Sequence, residues 1–177
     1  MYRRGFTIVE LLIVIVVIAI LAAITIVSYN GITARSQAAA VASDLKATVK
    51  AMMLYKETSG MSTWTLETDA VWNGTTSGNP TIASIITNNT AFREFLQKPP
   101  QNTGLGTASS WLYDNEGDTY VDCAVNSNGT NIILQNVTNT TVAQLVDATL
   151  DDGSLTCGSM HLSGASLIYN IAKTPSS

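Results

Sequence analysis

The sequence Gly5-Phe6-Thr7-Ile8-Val9-Glu10 opens an apolar run that continues to residue 27. Thirty residues separate Arg4 from Arg35, and Glu10 is the one charged residue among them. A hydrocarbon core about 30 Å thick takes roughly 20 helical residues, so the run is long enough to cross a membrane. Because every backbone N–H and C=O must be satisfied within a segment in lipid, the run is predicted to be helical despite its many Ile and Val residues. Arg3 and Arg4 precede it, which predicts a cytoplasmic N-terminus and an outside location after about residue 30.

Residues 3–12, Arg-Arg-Gly-Phe-Thr-Ile-Val-Glu-Leu-Leu, resemble the class III leader of type IV pilins and type II secretion pseudopilins. The shared elements are a short basic leader, Gly before the scissile bond, Phe after it, and Glu as the fifth mature residue. The resemblance implies that a prepilin peptidase/methyltransferase cuts between Gly5 and Phe6 and methylates the new Phe6 amine. It also implies that residues 6–30 remain in the mature protein as a transmembrane helix that becomes the core of a filament.

Two other interpretations of the apolar run are open. A secretory signal peptide ends at a small-residue cleavage site, and Ala19, Ala22 and Ala23 could mimic one, although the run continues past them. An ordinary signal anchor explains the membrane span, but it does not explain the Gly-Phe-x-x-x-Glu register. The family often carries a Pro near residue 27. This run has none, and Asn30-Gly31 just beyond it is the one weak point of the predicted helix.

Glu10 is the candidate assembly residue. A carboxylate near the start of a membrane helix is costly and usually has a partner or a function. One explanation is that Glu10 lies at headgroup level in the first turn, where the helix dipole tolerates an anion. The other, which the resemblance implies, is that Glu10 pairs with the positive Phe6 amine, in its own helix or on an incoming subunit.

The apolar pattern changes after the membrane run. From residue 34 to residue 53 apolar side chains recur at three- and four-residue steps, which predicts that the helix continues to about Thr58 and ends at Ser59-Gly60. The expected fold class is α+β, a pilin fold with a long N-terminal helix packed on a C-terminal antiparallel sheet. The expected divisions are a cleaved leader, a transmembrane half, an amphipathic half and a globular head, at residues 1–5, 6–30, 31–58 and 59–177.

The head combines loops with short elements. Thr, Ser, Asn and Gly predict mostly loop over residues 61–90, within which residues 82–86 fit either a helical turn or a short strand. Residues 90–97 are predicted to form a short helix, stopped by the prolines that follow. Helical spacing predicts a helix over residues 140–150, and alternation predicts a final strand over residues 165–172.

The sheet is predicted to begin near residue 110. Residues 111–113 and 119–125 flank an acidic, turn-forming stretch, which predicts that they form a hairpin. A second turn is predicted at residues 126–130, followed by a strand at residues 131–135.

Cys123 and Cys157 are the two cysteines of the chain. An exported chain lies in an oxidising setting, which favours a disulfide between them. A disulfide here also matches the disulfide-bounded C-terminal region of many pilins. The alternative is a pair of buried free thiols.

Few residues suggest site chemistry. Oxygen-rich turns suit calcium, and one acidic stretch could line such a loop, although acidic turns are common and Gly117 is not at the EF-hand glycine position. The candidate ligands are Asp114, Glu116, Asp118 and Asp122. His161, the one histidine, is predicted to be a surface loop residue. Since no P-loop, dinucleotide-binding, CxxC or HExxH motif is present, we expect no enzymatic activity and no cofactor.

The charge of the head limits its partners. After residue 59 the chain has three basic and ten acidic residues, a net charge of −7. Phosphate binding needs clustered Lys and Arg, so direct nucleic-acid binding by the monomer is not expected. The resemblance implies as partners further copies of the chain, the prepilin peptidase, an assembly platform protein with its ATPase, and membrane lipid.

Three functions remain open on the sequence. The first is a structural subunit of a type IV pilus, a homo-polymer that passes from the cytoplasmic membrane to the outside. The second is a pseudopilin of a type II secretion or competence (DNA-uptake) system. The third is an unrelated membrane-anchored exported domain, which would not be cut at Gly5.

Overall fold

The computed structural model describes residues 5–61, 79–107, 110–114, 120–122, 125–127 and 129–173. It confirms the α+β class, because one long N-terminal helix precedes a four-stranded antiparallel sheet. The helices are α1 (Ile8–Thr58), α2 (Ile82–Asn88) and α3 (Thr140–Leu150), with a 3₁₀ turn at Phe92–Glu94. The strands are β1 (Trp111–Asp114), β2 (Tyr120–Asp122), β3 (Val125–Ser127), β4 (Gly129–Leu134), β5 (Met160–Ser163) and β6 (Ser166–Lys173).

Helix α1 is continuous over 51 residues, roughly 75 Å at a rise of 1.5 Å per residue. It ends as predicted, because Gly60 adopts a left-handed φ of 68°. The Gly60 N–H bonds to the Glu57 carbonyl, and the Met61 N–H bonds to the Lys56 carbonyl. This 5→2 and 6→1 pairing is the Schellman motif, in which glycine avoids the steric penalty that a side chain would meet.

The four-stranded sheet has the order β1-β4-β6-β5, and β2 pairs with β3 in a separate two-stranded sheet. The predicted hairpin between residues 111–113 and 119–125 is therefore wrong. Strand β1 pairs with β4. Strand β2 ends at Asp122 and pairs with β3, which begins at Val125. The turn predicted at residues 126–130 is also wrong, because residues 126 and 127 belong to β3 and residues 129 and 130 belong to β4.

The reason for this error is that a turn signal is local, whereas strand pairing is decided by long-range burial. Opposite β4, Trp111 pairs with Leu134 and Tyr113 pairs with Ile132, and all four side chains are buried. Such aromatic–aliphatic cross-strand pairs are the unit of sheet stabilisation. The acidic stretch after β1 signals a turn, but it does not specify which strand comes next in space.

The core lies between one face of the sheet, α3 and the second half of α1. Val41, Leu45 and Met52 of α1 are completely buried. They belong to the same cluster as Val142 and Val146 of α3, which are also completely buried. The predicted amphipathic stripe of residues 34–53 is thus the face that α1 buries against the head, except for Met53, which was predicted to belong to it and is 47% exposed.

The opposite face of the sheet is also buried. Ile133, Ile168 and His161 lie side by side across β4, β6 and β5, and each is at most 3% exposed. The prediction that His161 is a surface loop residue is wrong. The cause is that β5 is only four residues long, which is too short for an alternation of apolar and polar residues to identify it as a strand. Its pairing with β6 is what makes it one.

Residues 82–86, which fitted either a helical turn or a strand, belong to helix α2. Thr81 is its N-cap residue, because the Thr81 side chain accepts from the Ser84 N–H at 2.9 Å. The helix predicted over residues 90–97 is shorter than expected, a single 3₁₀ turn. Phe92 is buried there, and the residue before Pro99 is disfavoured from continuing the helix. The predicted α3 and β6 are confirmed.

Candidate assembly site at the start of the long helix

The predicted cleavage site lies just before the helix. Residues 5–7 are not helical, and Thr7 has extended backbone dihedral angles. The Phe6 side chain is 82% exposed, and a Cβ built on Gly5 would have no heavy atom within 4 Å. An exposed, non-helical peptide is the kind of backbone that proteases cut. The structure therefore leaves the Gly5–Phe6 bond accessible within the described residues.

Thr7 and Glu10 form a capping box. The Glu10 N–H donates to Thr7 Oγ1 at 3.2 Å, and the Thr7 N–H donates to Glu10 Oε2 at 2.9 Å. The Thr7 hydroxyl also donates to Glu10 Oε2 at 2.6 Å. Two backbone donors that the first helical turn would leave unsatisfied are thereby paired. This was missed in the sequence, although Thr-x-x-Glu before an apolar run is its signature.

The capping box gives Glu10 a structural role besides the predicted one. Its carboxylate lies in the first turn, where the helix dipole favours an anion. The hydrogen bonds of Glu10 to described residues all use Oε2. The pairing of Glu10 with the Phe6 amine stays a prediction, since Phe6 carries a peptide bond to Gly5 in this chain.

The first half of α1 exposes large apolar side chains all round its circumference. Successive residues such as Leu11, Leu12 and Ile13 are each more than half exposed, and the large apolar side chains described from there to Ile32 are each at least 47% exposed. Among the described residues, α1 is the one helix long and apolar enough to cross a membrane, by length and composition alone. Asn30-Gly31 is helical, so the predicted weak point does not interrupt the helix.

Two threonine hydroxyl groups on the exposed part of α1 are satisfied inside the helix. Thr25 Oγ1 donates to the Leu21 carbonyl at 2.7 Å, and Thr33 Oγ1 donates to the Tyr29 carbonyl at 2.9 Å. Bonds of this kind allow polar side chains to lie in an apolar environment, and they often bend a helix slightly. These two threonines therefore do not add unsatisfied hydroxyl groups to the apolar surface.

The structure does not test the other predicted site residues. Cys157 is partly buried in the loop between α3 and β5, and Cys123 lies outside the described residues. No free cysteine occurs in the described part of the chain, and the Cys123–Cys157 disulfide stays a prediction.

The predicted calcium loop is only partly described. Asp114 is 1% exposed at the end of β1, and Asp122 ends β2. Glu116 and Asp118 lie outside the described residues. The four carboxylates therefore remain a prediction as a set.

A second carboxylate cluster, at the end of α3, was not predicted. One oxygen from each of Asp147, Asp151 and Asp152 lies within 4.8 Å of the others. A signal was present, because Asp147 falls on the same helix face as Ala143 and Val146, where an apolar residue is expected.

The comparisons with known proteins agree with the geometry of the N-terminus. The family model for the prokaryotic N-terminal methylation motif matches residues 1–26. No curated protein and no solved structure matches the chain. The match covers the proposed cleavage site, the capping box and most of the exposed apolar half. Over residues 1–26 the chain therefore carries the class III prepilin leader of type IV pilins and pseudopilins.

Proposed function

We propose that this protein is a structural subunit of a type IV pilus, held in the cytoplasmic membrane by residues 6–30 and assembled through that helix. The observation that carries the proposal is the contrast within α1: its first half is exposed on all sides, whereas its second half buries one face against the head. A soluble monomer rarely exposes a contiguous apolar surface of this extent. Lipid before assembly, and the helices of neighbouring subunits after it, would cover that surface.

The leader implies the processing steps. A prepilin peptidase removes residues 1–5 and methylates Phe6, after which the platform protein and its ATPase transfer the subunit from membrane to filament. The head, with its net charge of −7 after residue 59, forms the soluble outer coat. Proteins with this leader are structural rather than enzymatic, in keeping with a subunit that works by polymerising.

The runner-up is a pseudopilin of a type II secretion or competence system, which carries the same leader. Two features favour the pilus. The head is large for a piston-like filament, and its Thr- and Asn-rich sequence with a C-terminal cysteine pair matches a surface-exposed fibre.

Electron microscopy of sheared surface fibres, with peptide mass spectrometry, tests the proposal. We expect fibres made of this chain, with a mature N-terminus at Phe6 and a methyl group on its amine. Cells without surface fibres, but with the chain processed in the membrane fraction, would favour the pseudopilin. An intact Met1, or a cut after Ala23, would refute the leader assignment.

For the mechanism, we propose that Glu10 pairs with the amine that cleavage creates on Phe6 of an incoming subunit. Glu10 Oε2 accepts from the Thr7 backbone N–H, one residue from the position of that amine. The carboxylate is therefore already oriented toward the N-terminal end of α1. Apolar helix faces give little axial register in lipid. A charge pair supplies register, because a displaced subunit leaves two charges unmatched in a low dielectric.

Paired variants separate assembly from capping. Glu10→Gln keeps a capping-box residue but loses the charge, whereas Thr7→Ala keeps the charge but loses the cap. We expect Glu10→Gln and Glu10→Ala to be processed and inserted yet to yield about tenfold fewer filaments, with Glu10→Asp intermediate and Thr7→Ala close to wild type. The measurement is the ratio of sheared filament to membrane-fraction subunit. Normal yield from Glu10→Gln, with loss in Thr7→Ala, would show that only capping matters.

A further inference from the structure

The C-terminal end of α3 gathers three carboxylates. Asp147 lies in the last turn, Asp151 is the C-cap residue, and Asp152 follows it. Their nearest oxygens lie within 4.8 Å of one another. Since a helix C-terminus carries a partial negative charge, this is the end at which acids are least favourable. The last turn of α3 also contains no basic residue.

Asp147 is the unusual member. It is completely buried, and neither of its carboxylate oxygens has a hydrogen-bond partner among the described residues. Burial, and to a lesser degree the neighbouring charges of Asp152 and Asp151, raise the pKa of Asp147 to about 6. A buried ionised carboxylate is normally paired or bound to a metal.

The other two carboxylates are held in place with an oxygen to spare. Asp151 Oδ2 accepts from the backbone N–H groups of Ser159 and Met160. Asp152 Oδ1 accepts from the Ser154 N–H at 2.8 Å. One oxygen of each side chain is thus committed to the loop, while the other can face a ligand.

Gly158 makes room for this arrangement, because a Cβ there would come within 2.1 Å of Asp151 Oδ2. Its φ of 116° is also one that side chains rarely adopt. The loop between α3 and β5 is therefore shaped around the Asp151 carboxylate.

A lysine that reaches the end of α3 bonds to the backbone there and not to Asp147. Lys46 of α1 reaches the end of α3, but its Nζ donates to the Thr149 carbonyl at 3.3 Å. That bond satisfies one terminal carbonyl of α3 and leaves Asp147 without a hydrogen-bond partner.

We propose that Asp147, Asp151 and Asp152 bind a calcium ion. The cluster offers only oxygen ligands, which suit a hard cation and not zinc or copper. A divalent cation would offset most of the three negative charges and supply the missing partner of Asp147. Backbone carbonyls and water would complete the six to eight ligands that calcium takes. This site is separate from the acidic stretch at residues 114–122.

Calcium titration of the full-length chain in detergent tests the proposal. By calorimetry we expect a dissociation constant on the order of 10⁻⁴–10⁻³ M, as in extracellular calcium modules. At calcium well above that value, Tm should rise by about 5 °C or more relative to EDTA. No binding heat and an unchanged Tm would overturn the proposal.

Asp147→Asn is the decisive variant, because its effect on Tm relative to wild type should have opposite signs in calcium and in EDTA. With calcium bound, it should lose at least about tenfold in affinity and fall below wild type in Tm. In EDTA it should match or exceed wild-type Tm, since it removes an unpartnered buried charge. Glu57→Gln, an exposed α1 position that removes the same charge elsewhere, is the control and should keep the calcium response. A full calcium response in Asp147→Asn would overturn the site.

Discussion

The two halves of α1 are equally helical but are covered differently. In the first half Ile18, Ile20 and Leu21 are each 56–59% exposed, whereas in the second half Leu45 and Met52 are completely buried. The apolar residues of the first half surround the helix, and those of the second half recur at three- and four-residue steps. The first half therefore needs an environment outside the chain, and the second half finds its environment within the head.

This difference means that the two halves stabilise different things. The second half contributes to the folding of the head, because it packs in one core with α3 and the sheet. The first half contributes little to folding of the monomer, because its side chains contact little else in the described chain. In our proposal its contribution appears only in the membrane and in the filament.

The most direct test uses one substitution in each half. Leu45→Ala should destabilise the head by about 3–5 kcal/mol, because it leaves a cavity in a closely packed core. Leu21→Ala makes the same chemical change at an exposed position and should shift the free energy of unfolding by about 0.5 kcal/mol or less. Denaturant unfolding of the full-length chain in detergent measures both. Similar losses in the two variants would contradict the division of α1.

Filament assembly should depend on Leu21, although head stability should not. Leu21→Ala removes packing surface from the proposed filament core, and its filament yield should fall although its head is as stable as wild type. If filament yield is unchanged in Leu21→Ala, this position is not in the core of the assembly.

The predicted disulfide would stabilise the head, against which the second half of α1 packs. Cys157 lies in the loop between α3 and β5, next to the residues that hold Asp151. Closing the loop from Cys123 to Cys157, about 35 residues, stabilises by roughly 3–4 kcal/mol in the chain-entropy model. We expect a non-reduced mass that is lower than the reduced mass by two hydrogen atoms, and loss of head stability on reduction. Two thiols that alkylate in the folded, non-reduced protein would refute it.

The long helix, α3 and β6 could be predicted because their signals are local and repeat several times. Residues 140–150 show helical spacing over about three turns, and Asn139 caps the start by accepting from the Val142 N–H. The end of α1 could also be predicted, since Ser59-Gly60 follows one turn after Leu54 and Tyr55, the last apolar residues of the helix. In each case the pattern and the terminating residue indicate the same element.

Pairing and burial could not be predicted, because they depend on residues distant in the sequence. Strand β1 takes β4 as partner, although β2 follows it directly. His161 is buried only because β5 pairs with β6 in a sheet that is covered on both faces. The Asp147 cluster likewise depends on the loop after α3 folding back, which the sequence signals only as Asp-Asp-Gly.

The junction between the halves gives the smallest expected effect, at Gly31. The residue lies between Tyr29 and Thr33, whose side-chain-to-carbonyl bond spans it, and just before the first partly buried positions of α1. A Cβ there would have nothing within 4 Å, so Gly31→Ala fits the folded monomer and favours the helix by roughly 1 kcal/mol.

We therefore expect Gly31→Ala to leave the head and its unfolding unchanged but to stiffen the connection between membrane half and head. Without a Pro in the run, glycine is the residue that most lowers the cost of local unwinding there. Filaments of the variant should extend less under a given pulling force, measured on single fibres. Asn30→Ala is the matched control, because it removes the adjacent weak helix former and keeps the glycine, and its effect should be smaller. If both variants match wild-type fibres in number and extensibility, the junction is not a hinge, and the two halves of α1 move as one rigid rod.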